Sequence, residues 1–473
     1  NEASHTAQAQ MVPTLINDKL DPTLEEIEKI FNIETVSREF FEKYRSLYEM
    51  LVKELNNNQT FKNEVSKNNI NTSNFAKKLL GQVVFLYFLQ KKGWLGVGKG
   101  KSWGNGDKFF LSRLFKDCIK KNKSYFNDYL EVLFYDTLNN PRSDRVDRNY
   151  SDYFDSKIPF LNGGLFEPQY DWKNSFIYLD NKIFKQILDV FDLYNFTVKE
   201  DEPLEKDVAV DPEMLGKVFE NLLEENLRKG KGTYYTPREI VHYMCQESLI
   251  NYLQTSTNTN EQIARKLVLV DKTINPAMDL KKQIKEKSLV LSNQQVEEFD
   301  QALSNITICD PACGSGAFLV GMLQLIVSTK NKINGYKRLF EMNIDDKTEY
   351  ELKKRTIQNS IYGVDIDSGA VEIAKLRLWL SLVVDYDLED IEPLPNLDYK
   401  IMVGNSLIEK LDSNKIEKTM DDEKNKLIDE VKVLKEKYFE TSELKAKTNL
   451  RFQINETIRL LINYDNKQER DKI

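Results

Sequence analysis

Asp310-Pro311-Ala312-Cys313-Gly314-Ser315-Gly316-Ala317-Phe318-Leu319 is the stretch whose reading decides the fold. It follows a short apolar run, Ile306-Thr307-Ile308-Cys309, that reads as a β-strand, and it opens an apolar stretch, Ala317 to Val327, that reads as a helix. Glycines at a strand-to-helix junction let the backbone come close to a ligand where the helix N terminus presents free N–H groups. A dinucleotide-binding loop is the obvious rival. It requires glycine three residues after Gly316, and Leu319 stands there. Asp310 at the strand end favours a ligand that carries positive charge over a pyrophosphate. The bland alternative is a glycine-rich turn that holds nothing.

Downstream, Gly363-Val364-Asp365-Ile366-Asp367 closes a second apolar strand that starts at Ile361. A carboxylate at that position suits the paired hydroxyls of a ribose. Asp365 ends the strand and is the preferred candidate, with Asp367 as the cap of the helix Gly369 to Val383. The two carboxylates Asp310 and Asp365 are 55 residues apart, against about 20 in a minimal nucleotide-binding unit. Residues 331–358 are therefore expected to be a helical insertion. A third strand, Tyr399 to Val403, leads into Gly404-Asn405-Ser406-Leu407. There a polar side chain is placed to read an adenine amino group, and Leu407 and Ile366 to pack on the ring faces. Taken alone, that string reads equally well as a strand-end turn. Upstream, Gly232-Thr233-Tyr234-Tyr235-Thr236-Pro237-Arg238-Glu239 reads as a helix start, with Thr236 and Glu239 forming a capping box and Pro237 at the first helical position. Its functional reading is a turn that holds the amino-acid end of a cofactor. S-adenosylmethionine, with an ammonium, a sulfonium and a nucleoside, matches this set of demands.

Strands that alternate with helices argue for a parallel, doubly wound, Rossmann-like α/β domain over residues 206–413. Residues 11–205 read as a helical domain. Phe40, Phe41, Tyr44, Leu47, Tyr48 and Leu51 recur at helical spacing, as do Phe75, Leu79, Val83, Tyr87 and Gln90, and 107–138 supplies two more amphipathic stretches. Phe160 to Phe166 reads as a tight, partly buried turn. Acidic residues 199–212 read as a linker, with Asp211-Pro212-Glu213 opening a further helix. Residues 414–473 read as a charged helical hairpin that breaks at Thr441-Ser442.

Composition narrows the function. The chain of 473 residues has a net charge of −8 and only two histidines, His5 and His242. That leaves little material for a histidine-based triad or metal centre. Cys118, Cys245, Cys309 and Cys313 do not make a disulfide scaffold or a zinc site, and they read as buried reduced thiols of a cytoplasmic protein. No metal is expected. Asn1 to Gln10 is polar, without a signal-peptide core. An acidic chain binds nucleic acid only through a local patch, for which Arg228, Lys229, Lys231 and Arg238 are the candidates.

Taken in order, Tyr-Tyr-Thr-Pro, Asp-Pro-Ala-Cys-Gly-Ser-Gly, Gly-Val-Asp-Ile-Asp and Gly-Asn-Ser-Leu resemble the adenine-N6 DNA methyltransferases whose cofactor motifs precede the catalytic one. More narrowly, they resemble the large enzymes that join restriction and modification in one chain. Leu215 to Glu220, Pro159 to Glu167 and Phe31 to Leu51 are similar to that family's helical region. The resemblance implies S-adenosylmethionine as cofactor, double-stranded DNA as partner, and subunits of a restriction–modification or phage-defence system as further partners. It implies a cofactor site made of Tyr235, Thr236, Pro237, Asp310, Ala312, Cys313, Gly314, Gly316, Asp365, Ile366, Asn405, Ser406 and Leu407.

In the family the target adenine leaves the duplex, and its amino group attacks the sulfonium methyl in line. An Asn-Pro-Pro-Tyr/Phe motif polarises the amine and stacks on the base. That motif is absent here: Asn140-Pro141-Arg142 and Asn275-Pro276-Ala277 lack its second proline and its aromatic residue. The expectation is a cofactor-binding half of a longer enzyme, with no catalytic residue in this chain and most DNA contact outside it. The alternatives are a non-catalytic cofactor-sensing or assembly module of a defence complex and, more remotely, a methyltransferase acting on RNA or protein.

Overall fold

The computed structural model describes residues 33–142, 148–161, 164–196, 209–210, 214, 216, 236–269, 291–343, 347–385, 391–407 and 422–471. The chain forms two compact units. One comprises Asn1–Leu222, Asp387–Tyr399 and Ile408–Ile473, and the other Leu223–Tyr386 and Lys400–Leu407. Among the described residues no helix is long and apolar enough to cross a membrane.

The first unit begins with α1 (Ile33–Asn57), α2 (Gln59–Asn68), α3 (Thr72–Lys91) and α4 (Phe110–Lys120). Phe40, Tyr44, Leu47, Leu51 and Leu55 bury one face of α1. Asn58 and Asn71 cap α2 and α3 by accepting the N–H groups of Phe61 and Asn74. α3 is buried on nearly every side from Phe75 to Gln90, so its sequence is apolar without a polar face. Residues Tyr125–Leu130 and Val132–Leu138 wind into wide helical turns of the π type. A short antiparallel pair, β1 (Tyr150–Ser151) with β2 (Ser156–Lys157), precedes α5 (Asn181–Phe191). Aromatic rings fill this core: Phe40 meets the edge of Tyr194 at 4.9 Å, and Phe134 stacks on Phe166 at 5.6 Å. The segment read as a linker is corrected in part. Ala209–Val210 (β4) pairs in parallel with Asn195–Phe196 (β3), because two apolar residues at its end add a short ladder. Asp211, Pro212 and Glu213, read as a helix start, lie outside the described residues, although Met214 and Gly216 are helical.

The second unit runs α6 (Arg238–Thr257), α7 (Glu261–Leu269), α8 (Asn293–Asn305), β5 (Ile308–Asp310), α9 (Ala317–Leu339), α10 (Glu349–Ser360), β6 (Ile361–Asp365), α11 (Ser368–Val384) and β7 (Ile401–Val403). The three strands form one parallel sheet in the order β5-β6-β7, with Asp310 opposite Gly363 and Asp365 opposite Val403. α9 continues well past Val327, because Ile333 and Tyr336 extend its buried face. The expected insertion is thus the rest of α9 plus α10, which starts at a capping box of Thr348 and Glu351. A Cβ on Gly363 would lie 2.7 Å from Leu319 Cδ1, so α9 packs on the sheet at a distance only glycine permits.

The chain then rejoins the first unit with α12 (Asp422–Glu440) and α13 (Leu444–Asp471), a hairpin that breaks at Thr441–Glu443. Asn396 Nδ2 donates to the carbonyls of Tyr438 and Thr441 at 2.6 and 2.7 Å. Arg451 Nη2 reaches Asp398 at 2.8 Å, and buried Lys447 pairs with Glu167. The hairpin is therefore an integral part of the helical unit.

One buried acid makes that unit sensitive to pH. Burial pushes the Glu131 carboxyl up to about 7, although Tyr170 Oη and Asn127 Nδ2 both donate to it. A carboxyl with a raised pKa binds more protons folded than unfolded, so its contribution is most favourable below the usual glutamate range and declines as pH rises towards 7. Glu131→Gln is expected to gain about 2 kcal/mol relative to wild type between pH 5 and pH 8, read by urea denaturation at both pH values. Parallel pH dependence in the two proteins would remove Glu131 as the cause.

Candidate functional site

Three strand ends and their loops converge at the carboxyl edge of the parallel sheet. Cys313 N donates to Val364 O at 2.9 Å and Gly314 N to Asp365 Oδ2 at 2.8 Å, so the glycine loop is stitched to the end of β6. Gly404 N donates to Asp365 O at 2.9 Å, and Ser406 Oγ donates to Pro311 O, which draws the loop after β7 onto the same place. Gly314 and Gly316 have φ of 52° and 82°, left-handed values that favour glycine. Gly316 is the N-cap of α9 and has no side chain to offer its free N–H groups, and no acidic residue stands in the first turn.

Electrostatics mark the same edge. Burial raises the proton affinity of Asp310 above the usual carboxylate range; the Ala312 N–H, 3.1 Å away, opposes this, and the negative charge of Asp365 adds to it. A cation placed between the two acids relieves that repulsion. Burial, and then the same two carboxylates, push the Cys313 thiol up to about 12, which keeps it protonated. Ile366, Val403 and Leu407 are exposed around the acids, Leu407 at 92%. Three bare aliphatic side chains beside two carboxylates offer a surface for a flat apolar ring.

Most of the residues read from the sequence are brought together: Asp310, Ala312, Cys313, Gly314, Gly316, Asp365, Ile366, Asn405, Ser406 and Leu407. Asp365 spends one oxygen on Gly314 N and the other on Asp367 N at 2.8 Å, which leaves the remaining lone pairs of each for a ligand. Asp367 caps α11 through Ala370 N. Asn405 Oδ1 accepts the N–H of Leu407 at 3.0 Å, an Asx turn that commits this oxygen and leaves the amide NH2.

Thr236 and Pro237 head α6, whose Cys245 Sγ points to Phe318 O of α9. The capping box is not made. Pro237 itself is the N-cap, its ψ of 147° starts the helix one residue later, and no side chain caps it. Tyr235, Arg228, Lys229, Lys231 and Asn275 lie outside the described residues. The thiol reading is also corrected, because Cys309 is exposed: it alternates outward on β5, which is an edge strand among the described residues. Among the described residues no cluster of three or more His, Cys, Asp or Glu is placed to hold a metal.

Arg377 is the residue that sequence reasoning missed. It lies in α11, 4% exposed, and its Nη1 donates to Ser315 O at 3.1 Å and to Ser315 Oγ at 3.4 Å, from beneath the loop. Its signal was a cation, with Lys375 two residues before it, in the largely apolar run Val371 to Val384.

A glycine loop tied to an acid at the next strand end, on the carboxyl edge of a parallel sheet, is the arrangement of nucleoside-binding α/β proteins. Comparison with known proteins narrows the class. Residues 282–426 match the MmeI DNA-methyltransferase domain family. The chain is 33% identical over 351 residues to a protein of Methanocaldococcus jannaschii described as a type II restriction enzyme and methyltransferase; the match covers 72% of this chain and 28% of the relative. It is 32% identical over 128 residues to a type II restriction enzyme and methyltransferase of Escherichia coli, covering 25% of this chain and 13% of that one. A solved structure of the type IIL restriction–modification enzyme MmeI with DNA resembles it at TM-score 0.48 and 17% identity, over 78% of this chain and 40% of that one. Residues 282–426 are thus similar to the MmeI DNA-methyltransferase domain, and the two relatives combine restriction and methylation by name; the match spans 28% and 13% of their lengths.

Removing the guanidinium under the glycine loop leaves the Ser315 carbonyl without its charged donor. Arg377→Met is expected to lower unfolding free energy by about 1.5–3 kcal/mol, the range for a hydrogen bond to a charged group, with Arg377→Lys in between. Denaturant titration decides this. Stability equal to wild type in the Met variant would show that the loop holds itself.

Proposed function

We propose that this chain binds S-adenosylmethionine and forms the cofactor-binding half of an adenine-N6 DNA methyltransferase of a restriction–modification or phage-defence system. The observation that carries the reading is the pair of carboxylates, Asp310 and Asp365, held at the carboxyl edge of the sheet by the glycine loop and flanked by exposed Ile366 and Leu407. The residues present fit the cofactor. Asp310 offers charge to an ammonium, the free N–H groups of α9 suit a carboxylate, Asp365 keeps lone pairs for ribose hydroxyls, and Ile366 and Leu407 flank an adenine ring. Asn405 and Ser406 border that ring, and Thr236 and Pro237, with Tyr235 before them in sequence, hold the amino-acid end. The bound cofactor supplies an electrophilic methyl group.

The three parallel strands have the order of one half of a doubly wound sheet. That supports a Rossmann-like domain over 206–413, with 11–205 and 414–473 as its helical companions. DNA and defence-system subunits are the partners this reading assigns, and the cytoplasm its place of action. A second reading, a non-catalytic cofactor-binding or assembly module, is favoured by one observation: the sequence holds no Asn-Pro-Pro-Tyr or Asn-Pro-Pro-Phe.

Calorimetry on the purified chain is expected to show S-adenosylmethionine binding without DNA, weakened by about 1–3 kcal/mol in Asp365→Ala, the cost of removing charge-assisted hydrogen bonds. Because Asp365 also ties down Gly314, melting curves and Asp365→Asn separate a direct effect on the ligand from a loosened loop. Undiminished affinity in both variants refutes the assignment of this carboxylate.

A second measurement separates the two readings. Rate requires the target amine to be held in line and its developing charge stabilised, and the motif that does so in the family is not in this sequence. Labelled methyl transfer to DNA free of adenine methylation is expected to be at background for this chain. Clear N6-methyladenine would move the active site to residues assigned no chemistry here.

A further inference from the structure

A concentration of positive charge lies far in sequence from the glycine loop. Between Arg113 and Lys123 the chain carries five cations and one carboxylate, although its net charge is −8. Arg113, Lys116 and Lys120 recur at helical spacing along α4 and are exposed, while Phe110, Leu111, Leu114 and Cys118 bury its other side. This stripe borders a groove of about 580 Å³ that Tyr129, Tyr153 and Phe154 also line.

The acids around the groove are already engaged. Asp117 is held by Lys121 at 2.8 Å and by Tyr129 Oη at 2.7 Å, Asp107 by Arg113 at 2.6 Å, and Asp155 by Tyr150 Oη. Asp128 lies 3.9 Å from Lys123. Lys116 and Lys120 form no ion pair among the described residues, although the Asp117 carboxylate feels the charge of Lys120, so both ammonium groups stand open on the rim.

We propose that the α4 groove is a docking surface for the phosphodiester backbone of DNA. Arg113 to Lys120 covers about 10 Å of helix, roughly three nucleotide steps of a duplex strand at about 3.4 Å each. These two lysines contact successive phosphates without reading sequence, and Tyr153, half exposed beside them, lines the track. The charge and shape of the groove stand by themselves; the choice of DNA as the polyanion rests on the function proposed above. The surface belongs to the helical unit, which otherwise has no chemical role.

The test is fluorescence anisotropy of a short labelled duplex of mixed sequence, titrated with the full chain across a range of salt. Lys116→Gln with Lys120→Gln is expected to lower the slope of log affinity against log salt by about two, one for each phosphate no longer neutralised. A control pair on the hairpin, Lys432→Gln with Arg459→Gln, both exposed, is expected to leave the slope at its wild-type value. S-adenosylmethionine calorimetry on the α4 variant is expected to match wild type, which keeps failure of the groove distinct from failure of the cofactor reading. Three results overturn the proposal: no DNA binding by wild type, an unchanged slope in the α4 variant, or an equal fall in the control pair. Loss of inorganic pyrophosphate binding with DNA binding intact also overturns it, by making the groove a small-anion site.

Discussion

The carboxylate of Asp365 is the tie on which the candidate site depends. It sits at the end of β6 and accepts the N–H of Gly314 across 51 residues of sequence, while its own backbone carbonyl accepts Gly404 N. One residue thus joins the ends of all three strands of the sheet. A backbone N–H donor to a carboxylate is among the stronger hydrogen bonds available to a protein. It also fixes the acid where a loop of left-handed glycines would otherwise be free to move. The rest of the site follows from this constraint: Asp310 is held close enough to Asp365 to feel its charge, and the N terminus of α9 is aimed at the same edge.

A close approach of helix and sheet makes that tie possible. Gly363 lets Leu319 and Cys313 lie directly on β6, and on the other side of the loop Gly316 lies so close to α11 that an added Cβ would be 3.0 Å from Ala374 Cβ. Two glycines and one alanine therefore set the depth of the loop between α9 and α11. Arg377, buried in α11, gives the carbonyl of buried Ser315 a charged donor. A buried cation is costly to hold without partners, and here it serves to hold a polar loop in an apolar setting.

The helical unit is stabilised in a different way. Its core is built from aromatic rings packed edge to face and offset, and its polar ties are long-range pairs. Glu167 accepts from Lys447 and Asp398 from Arg451 and Tyr438, so the C-terminal hairpin and the first half of the chain share one network. The buried Glu131 within that core is a liability at neutral pH that its two donors only partly offset. The exposed cations of α4 lie outside these networks, which leaves them available to an external anion.

The sequence alone determined what depends on local pattern. The glycine loop, the acids at two strand ends, the Asp367 cap, the parallel strands and the break of the hairpin near Thr441 follow from spacing, capping chemistry and the special conformations of glycine. Those properties are fixed by neighbours within a few residues. Only the tertiary structure decided which partners those groups take. It spent Asn405 Oδ1 on its own turn, moved the start of α6 past Pro237, carried α9 on to Leu339, and exposed Cys309. It also joined the hairpin to a unit that begins some four hundred residues earlier in the sequence, and set Arg377 beneath a loop 62 residues away. Each of these outcomes is a competition between distant surfaces for burial and for hydrogen bonds, and a residue's own neighbours along the chain carry no record of it.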